Sequence, residues 1–333
     1  MKDFLTRVQS VREGEAREIP VIDLGAYRSG DAGALEATAA EIGDALENVG
    51  FFVLVDHGVS DDLIARSYAA TRAFFDLPPE VKESVPRNDN NVGYVGMGKR
   101  VYRESSDLTK KDAKPKQAAE SFFMKAELAP DHPDVLAGVR FRGSNLWPDE
   151  ASAPGFRASM LEYTDAVKGL GLSLLPLYAV ALDLPPDFFD EAFADPTYTL
   201  RLSHYPQQSA LEANEQGLPP HTDTSFMTLL PYNPIQGLRI RRSDGVWIDA
   251  PNIPGSYVVN SGNMLRRWSN DRCMATPHEV VNESGAERYA MPFFMDCHWN
   301  YTMECLPTCH SEDNPPKYEP MTYLEYMTWY SKG

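Results

Sequence analysis

The stretch Pro219-Pro-His-Thr-Asp-Thr-Ser-Phe-Met-Thr-Leu-Leu-Pro231 sets a His-x-Asp pair directly ahead of a short apolar run. That run, Ser225–Pro231, is one of a series. Leu200–Tyr205, Leu238–Arg241, Gly245–Ile248, Ser256–Asn260, Glu279–Val281 and Tyr289–Met295 follow the same format. Asp244-Gly245, Pro254-Gly255 and Ser284-Gly285 supply turn signals between them. Many short strands at close spacing predict a sandwich or barrel.

Upstream the character differs. Pro154 to Leu182 has the spacing of an amphipathic helix, ended by Leu184-Pro-Pro-Asp187. Ala34 to Val49 also reads as a helix, and Gly50-Phe-Phe-Val-Leu-Val55 as a buried strand. Ser60-Asp-Asp has the form of a helix N-cap followed by acids in the first turn, for a helix ending near Leu77-Pro-Pro79. Residues 83–118 are polar, and a loop of that length is often a lid or binding loop. The chain divides into a polar leader (1–18), a mainly helical region (19–150), and a helix plus a β-rich core closed by a C-terminal helix (151–333), expected to form one compact unit.

The balance of 31 basic against 48 acidic residues gives a net charge of −17. Such a surface repels nucleic acid and anionic membranes, which are bound through Lys/Arg contacts to phosphate. Residues 1–20 hold no signal-peptide apolar core, and no stretch approaches the ~18 apolar residues of a membrane span. Four cysteines in 333 residues read as reduced thiols of a cytoplasmic protein.

His221 and Asp223 are two apart, so on a strand they share a face. His278, in Thr276-Pro-His-Glu-Val280, can complete a two-His, one-carboxylate set. That set leaves open positions on iron for a chelating cosubstrate and O2. Arg288 follows ten residues after His278. If the two occupy paired strands joined by the Asn282–Gly285 turn, both face one cavity, where a guanidinium fork suits a carboxylate.

At this point the sequence resembles the isopenicillin N synthase-like family of iron(II)/2-oxoglutarate-dependent dioxygenases, from about Ile19 to about Tyr330. The front half carries Ile19-Pro-Val-Ile-Asp23, Gly50-Phe-Phe-Val-Leu-Val-Asp-His-Gly-Val59, Phe74-Phe-Asp-Leu-Pro-Pro-Glu80 and Asn145-Leu-Trp-Pro148. The back half carries Arg201-Leu-Ser-His-Tyr-Pro206, His221-Thr-Asp223, Gly237-Leu238, Asn260-Ser-Gly-Asn263, His278 and Arg288.

The resemblance implies a double-stranded β-helix, or jelly roll, flanked by helices: a β-rich α+β protein. It implies iron(II) on His221, Asp223 and His278, with 2-oxoglutarate as cosubstrate held by Arg288 and Tyr205. It further implies oxidation of a small organic metabolite by O2, as hydroxylation, desaturation or a related outcome, with release of succinate and CO2. Val280, Phe294 and Leu230 are expected around the substrate, with Tyr94, Tyr102 and Tyr323–Tyr326 near a lid. The motifs specify the family and not a substrate. One departure stands out: the family's Arg-x-Ser is Arg288-Tyr-Ala290 here, which removes a hydroxyl worth roughly 1.5–3 kcal/mol to a charged ligand. That departure keeps open an iron-dependent oxidase that uses no 2-oxoglutarate. A catalytically inactive β-barrel binding protein is the alternative from another class.

Overall fold

The computed structural model describes residues 17–97, 116–117, 119–207 and 215–332. The predicted leader falls almost entirely outside these residues, as do Tyr102 and most of the polar loop before Lys116.

Two sheets face each other. The larger has nine strands, running in space through Val21–Asp23, Phe51–Val55, Tyr257–Ser261, Met227–Pro231, Phe293–Asp296, Thr197–Tyr205, Glu120–Lys125 and Gly93–Val95. Arg288–Ala290 extends the line of Phe293–Asp296 along Thr197–Tyr205 with no change of register. The smaller sheet is ordered Trp247–Asp249, Leu238–Arg241, His278–Val280, Leu218–His221. This is the jelly roll that the family resemblance implies, and it fits the sandwich or barrel predicted from the apolar runs.

Side chains alternate across the large sheet, as strand geometry requires. Leu200, Leu202, Met227, Leu229, Tyr257, Val259, Phe293 and Met295 turn outward into one apolar core. That core is completed by the helix Phe156–Ala181, whose buried residues recur every three or four positions. The helices Ala34–Asn48 and Asp61–Phe75 pack against it in turn. Both lie where the sequence places them, although Ser60 makes no side-chain cap bond.

The opposite face looks toward the small sheet. Phe51, Val53 and Val258 meet Leu238 and Ile240 at one end. Tyr205 and Ala290 meet Leu218 and Val280 at the other. Gly50, at φ +74°, turns the helix Ala34–Asn48 into the strand Phe51–Val55. A β-carbon there would strike the Thr276 hydroxyl, two residues before His278, so the turn needs glycine.

Three features differ from expectation. Asp223 lies just beyond the strand Leu218–His221, in irregular backbone, so strand alternation does not explain its shared face with His221. His278 and Arg288 are not on paired strands: His278–Val280 belongs to the small sheet and Arg288–Ala290 to the large one. Both lie on faces turned toward the space between the opposed sheets. Lastly, Glu120–Lys125 is a strand beside Thr197–Tyr205. Both of its faces are buried, so it shows no alternation to read.

Candidate active site

His221 ends an edge strand whose Pro219 and Pro220 have no backbone N–H for a further neighbour, a placement sheet edges tolerate. His278 pairs with it across the ladder, and the two ring centroids are 4.3 Å apart. Phe51 meets the His278 ring edge-on at 5.3 Å. Each imidazole is oriented from behind. Nδ1 of His221 lies 2.9 Å from the Pro219 carbonyl, and Nδ1 of His278 lies 3.1 Å from the Thr276 carbonyl. A carbonyl only accepts, so Nδ1 carries the proton in both rings and each Nε2 presents a lone pair.

Both lone pairs point toward Asp223. Its Oδ1 is 3.7 Å from His221 Nε2 and 3.6 Å from His278 Nε2. The other oxygen, Oδ2, accepts from Thr228 Oγ1 at 2.7 Å and Asn260 Nδ2 at 2.8 Å. One carboxylate oxygen is therefore tied down and the other left open. Burial pushes His221 down to about 3, and the neighbouring His278 adds to that. Burial alone would raise Asp223, but the two imidazoles and the Asn260 and Thr228 bonds outweigh it and hold the carboxyl below its usual range. Two imidazole nitrogens and a carboxylate oxygen form a donor set suited to a divalent cation. Among the described residues no other cluster of His, Cys, Asp or Glu has metal-binding proximity, and the four cysteines are free thiols.

Arg288 sits on the inward face of the large sheet and is 2 % exposed. Its Nε donates to the Ile235 carbonyl at 3.2 Å, while Nη1 has no hydrogen-bond partner. The guanidinium carbon lies 5.3 Å from the centre of the Tyr205 ring, on the directly opposing residue. Gly237 makes room for it: a β-carbon there would sit 3.0 Å from Arg288 Nε. A buried cation with an idle donor is costly unless an anion completes it. The structure thus has the shape and charge for a carboxylate beyond the metal-type triad.

Two family models match the chain: the non-haem dioxygenase N-terminal region named for morphine synthesis over residues 19–150, and the 2OG-Fe(II) oxygenase superfamily over residues 196–296. A 2-oxoglutarate-Fe(II) type oxidoreductase of Emericella nidulans is 32% identical over 307 residues, 91% of this chain and 86% of the relative. This chain is a 2-oxoglutarate- and iron(II)-dependent dioxygenase. Kihadalactone A synthase of Citrus sinensis is also 32% identical, covering 93% and 92% of the two chains. A full-length Neurospora crassa protein, solved in complex with alpha-KG and thymine, superposes with a TM-score of 0.84 at 26% identity, covering 97% and 98%. The dioxygenase therefore takes iron(II), 2-oxoglutarate and O2, and oxidises a small molecule. No helix among the described residues is long and apolar enough to cross a membrane.

The remaining expected residues are placed as follows. Val280 packs with Tyr205, Leu218 and Ala290 between the two sheets, and Leu230 packs beside that group. Phe294 stands away from them, between Thr228 and Thr199 on neighbouring strands. Tyr94 donates to Glu120, Tyr323 to Asp296, and Tyr326 to the carbonyl of Thr224, next to Asp223. His204 turns outward, where it binds Glu120 and stacks on Tyr289, while His57 bonds the Gly255 carbonyl. Thr228 and Asn260, whose bonds to Asp223 span sheet neighbours, stand in quoted motifs that by themselves assign them no role. The same holds for Ser203, opposite Ala290, whose buried hydroxyl has no partner.

Asn260→Ala is expected to weaken iron(II) affinity by about 10–100-fold, the usual effect of losing a group that orients a metal ligand. Equilibrium dialysis against iron(II) measures this, and Thr228→Val should act in the same direction.

Proposed function

We propose that His221, Asp223 and His278 hold the iron, and that Arg288 and Tyr205 hold the distal carboxylate of 2-oxoglutarate. The observation that carries this is the idle Nη1 of Arg288, a buried cationic donor on the face of the large sheet turned toward the small sheet that carries His221 and His278. When bound, iron(II) with 2-oxoglutarate and O2 supplies the oxidising chemistry, and succinate and CO2 leave. The protein's part is positional. The Pro219 and Thr276 carbonyls fix the imidazoles, Thr228 and Asn260 fix Asp223, and the apolar contacts of Leu218, Val280 and Leu230 exclude water around the cosubstrate.

In this reading Ser203 compensates for Ala290. The two residues are directly opposite on antiparallel strands and share the inward face. The Ser203 hydroxyl is 1 % exposed and unpartnered, so it is available to donate to 2-oxoglutarate from across the ladder. Ser203→Ala should raise the KM for 2-oxoglutarate about 10-fold, from the loss of one bond to a charged group. Succinate assays over a range of cosubstrate concentrations read this out, and an unchanged KM would remove Ser203 from the site. Succinate formation should also require added iron(II); iron-independent consumption would contradict the triad assignment.

We further read residues 19–150 as part of one unit with the catalytic core, because Phe51–Val55 and Glu120–Lys125 are strands of the same sheet as Thr197–Tyr205. The net charge of −17 favours a cytoplasmic enzyme of small metabolites that avoids nucleic acid and anionic membrane.

A further inference from the structure

Four inward-facing residues form a row across neighbouring strands of the large sheet. Thr228 opposes Phe294, Phe294 opposes Thr199, and Thr199 opposes Lys125. One end of the row is the metal site, since Thr228 bonds Asp223. Phe294 and Thr199 are only half-buried, although their strands are otherwise almost wholly buried, so space opens in front of them. At the far end Lys125 is 6 % exposed. Its ammonium donates to Thr199 Oγ1 at 2.8 Å and lies 5.6 Å from the Phe141 ring centre. No carboxylate forms an ion pair with it among the described residues.

An ammonium has three donors, and this one uses a single neutral acceptor. Its environment gives it no counter-charge in contact. The carboxylate of Asp296 acts on it from a distance, but both Asp296 oxygens are engaged, by the Phe226 N–H and the Tyr323 hydroxyl. Nearby Arg142, by contrast, is matched by Asp134 and Asp195. Burying an ammonium this way is costly unless an anion arrives to complete it.

The cosubstrate does not meet this need. Arg288 lies opposite Tyr205, and Lys125 lies opposite Thr199, six residues away along the same strand. That separation is about 20 Å of sheet. From Thr228 to Lys125 the row spans three inter-strand steps, about 14 Å between backbones.

We propose that Lys125, with the Thr199 hydroxyl, anchors a carboxylate on the molecule being oxidised, so that the substrate is a small organic acid. Its body lies over Phe294, and the carbon presented to the metal is remote from the acid group. This rests on the metal and cosubstrate assignment above and adds the substrate class to it.

The test uses the enzyme loaded with iron(II) and 2-oxoglutarate. The probes are benzoate, phenylacetate and cyclohexanecarboxylate, each beside its primary amide, read by thermal shift and by stimulation of succinate release. Wild-type enzyme should bind at least one acid 10-fold or more tightly than its amide. Lys125→Met should raise the acid's Kd by 30-fold or more and abolish the preference for acid over amide. Lys125→Arg should retain much of that preference, which a loss of fold would not allow. Equal binding of acids and amides, a preference that survives Lys125→Met, or failure of every acid to bind would overturn the proposal. Succinate formed by wild-type enzyme with no acid present tests the metal and cosubstrate assignment separately.

Discussion

Replacing Arg288 with leucine should raise the KM for 2-oxoglutarate by two orders of magnitude or more, without lowering the unfolding temperature of the iron-free protein. The two halves have one cause. The Arg288 guanidinium is buried, bonds the Ile235 carbonyl through Nε, and leaves Nη1 without a partner. A fork of two charge-assisted bonds to a carboxylate is worth roughly 3–6 kcal/mol, and each 1.4 kcal/mol is tenfold in affinity. Without a ligand, that same cation is a burden. Burying one charge carries a desolvation penalty of several kcal/mol, which an apolar side chain of similar volume does not incur. Steady-state succinate assays give the KM and calorimetry gives the unfolding temperature. A variant that melts lower yet keeps its KM would show Arg288 to be a structural residue.

Asp223→Ala should abolish both iron retention and turnover. The substitution removes the only carboxylate of the triad and strands two donors, the Thr228 hydroxyl and the Asn260 amide. Each unsatisfied buried group costs about 1–3 kcal/mol, so the apoprotein should also lose stability while still folding. Dialysis should find iron(II) affinity at least 1000-fold weaker, and succinate formation should fall to background. Asp223→Asn keeps an oxygen for Thr228 and restores much of the stability without restoring iron. Normal turnover by either variant would end the triad assignment.

The chemistry was more legible than the geometry that delivers it. His221 and Asp223 could be proposed because their types and two-residue spacing are local features, and His278, far along the chain, could be offered only as a nitrogen donor able to complete the set. Their convergence could not be derived locally. Asp223 reaches the site from irregular backbone past the end of its strand. His278 and Arg288 belong to two opposed sheets, not to one hairpin, and sheet assignment is a tertiary property that a ten-residue separation does not encode.

The same limit explains why Lys125 was overlooked. Its strand is buried on both faces, which erases the alternation by which strands are recognised, and its six residues are too few to separate from a helix by period. Phe294, by contrast, could be placed by counting. An even step from Arg288 holds because Arg288–Ala290 and Phe293–Asp296 keep one register along Thr197–Tyr205. Ser203 shows a further kind of blindness. Ala290 reads as a lost hydroxyl in one strand, and only the ladder reveals another hydroxyl facing it.

The most direct measurement is an anaerobic titration of the purified protein with iron(II) and then 2-oxoglutarate, followed in the visible spectrum. A metal-to-ligand charge-transfer band that saturates at one equivalent of each, and is absent from Asp223→Ala, is the predicted result. A wild-type protein that binds iron(II) but develops no band with 2-oxoglutarate would contradict the assignment of Arg288 and Tyr205. A wild-type protein that refuses iron(II) would contradict the site as a whole.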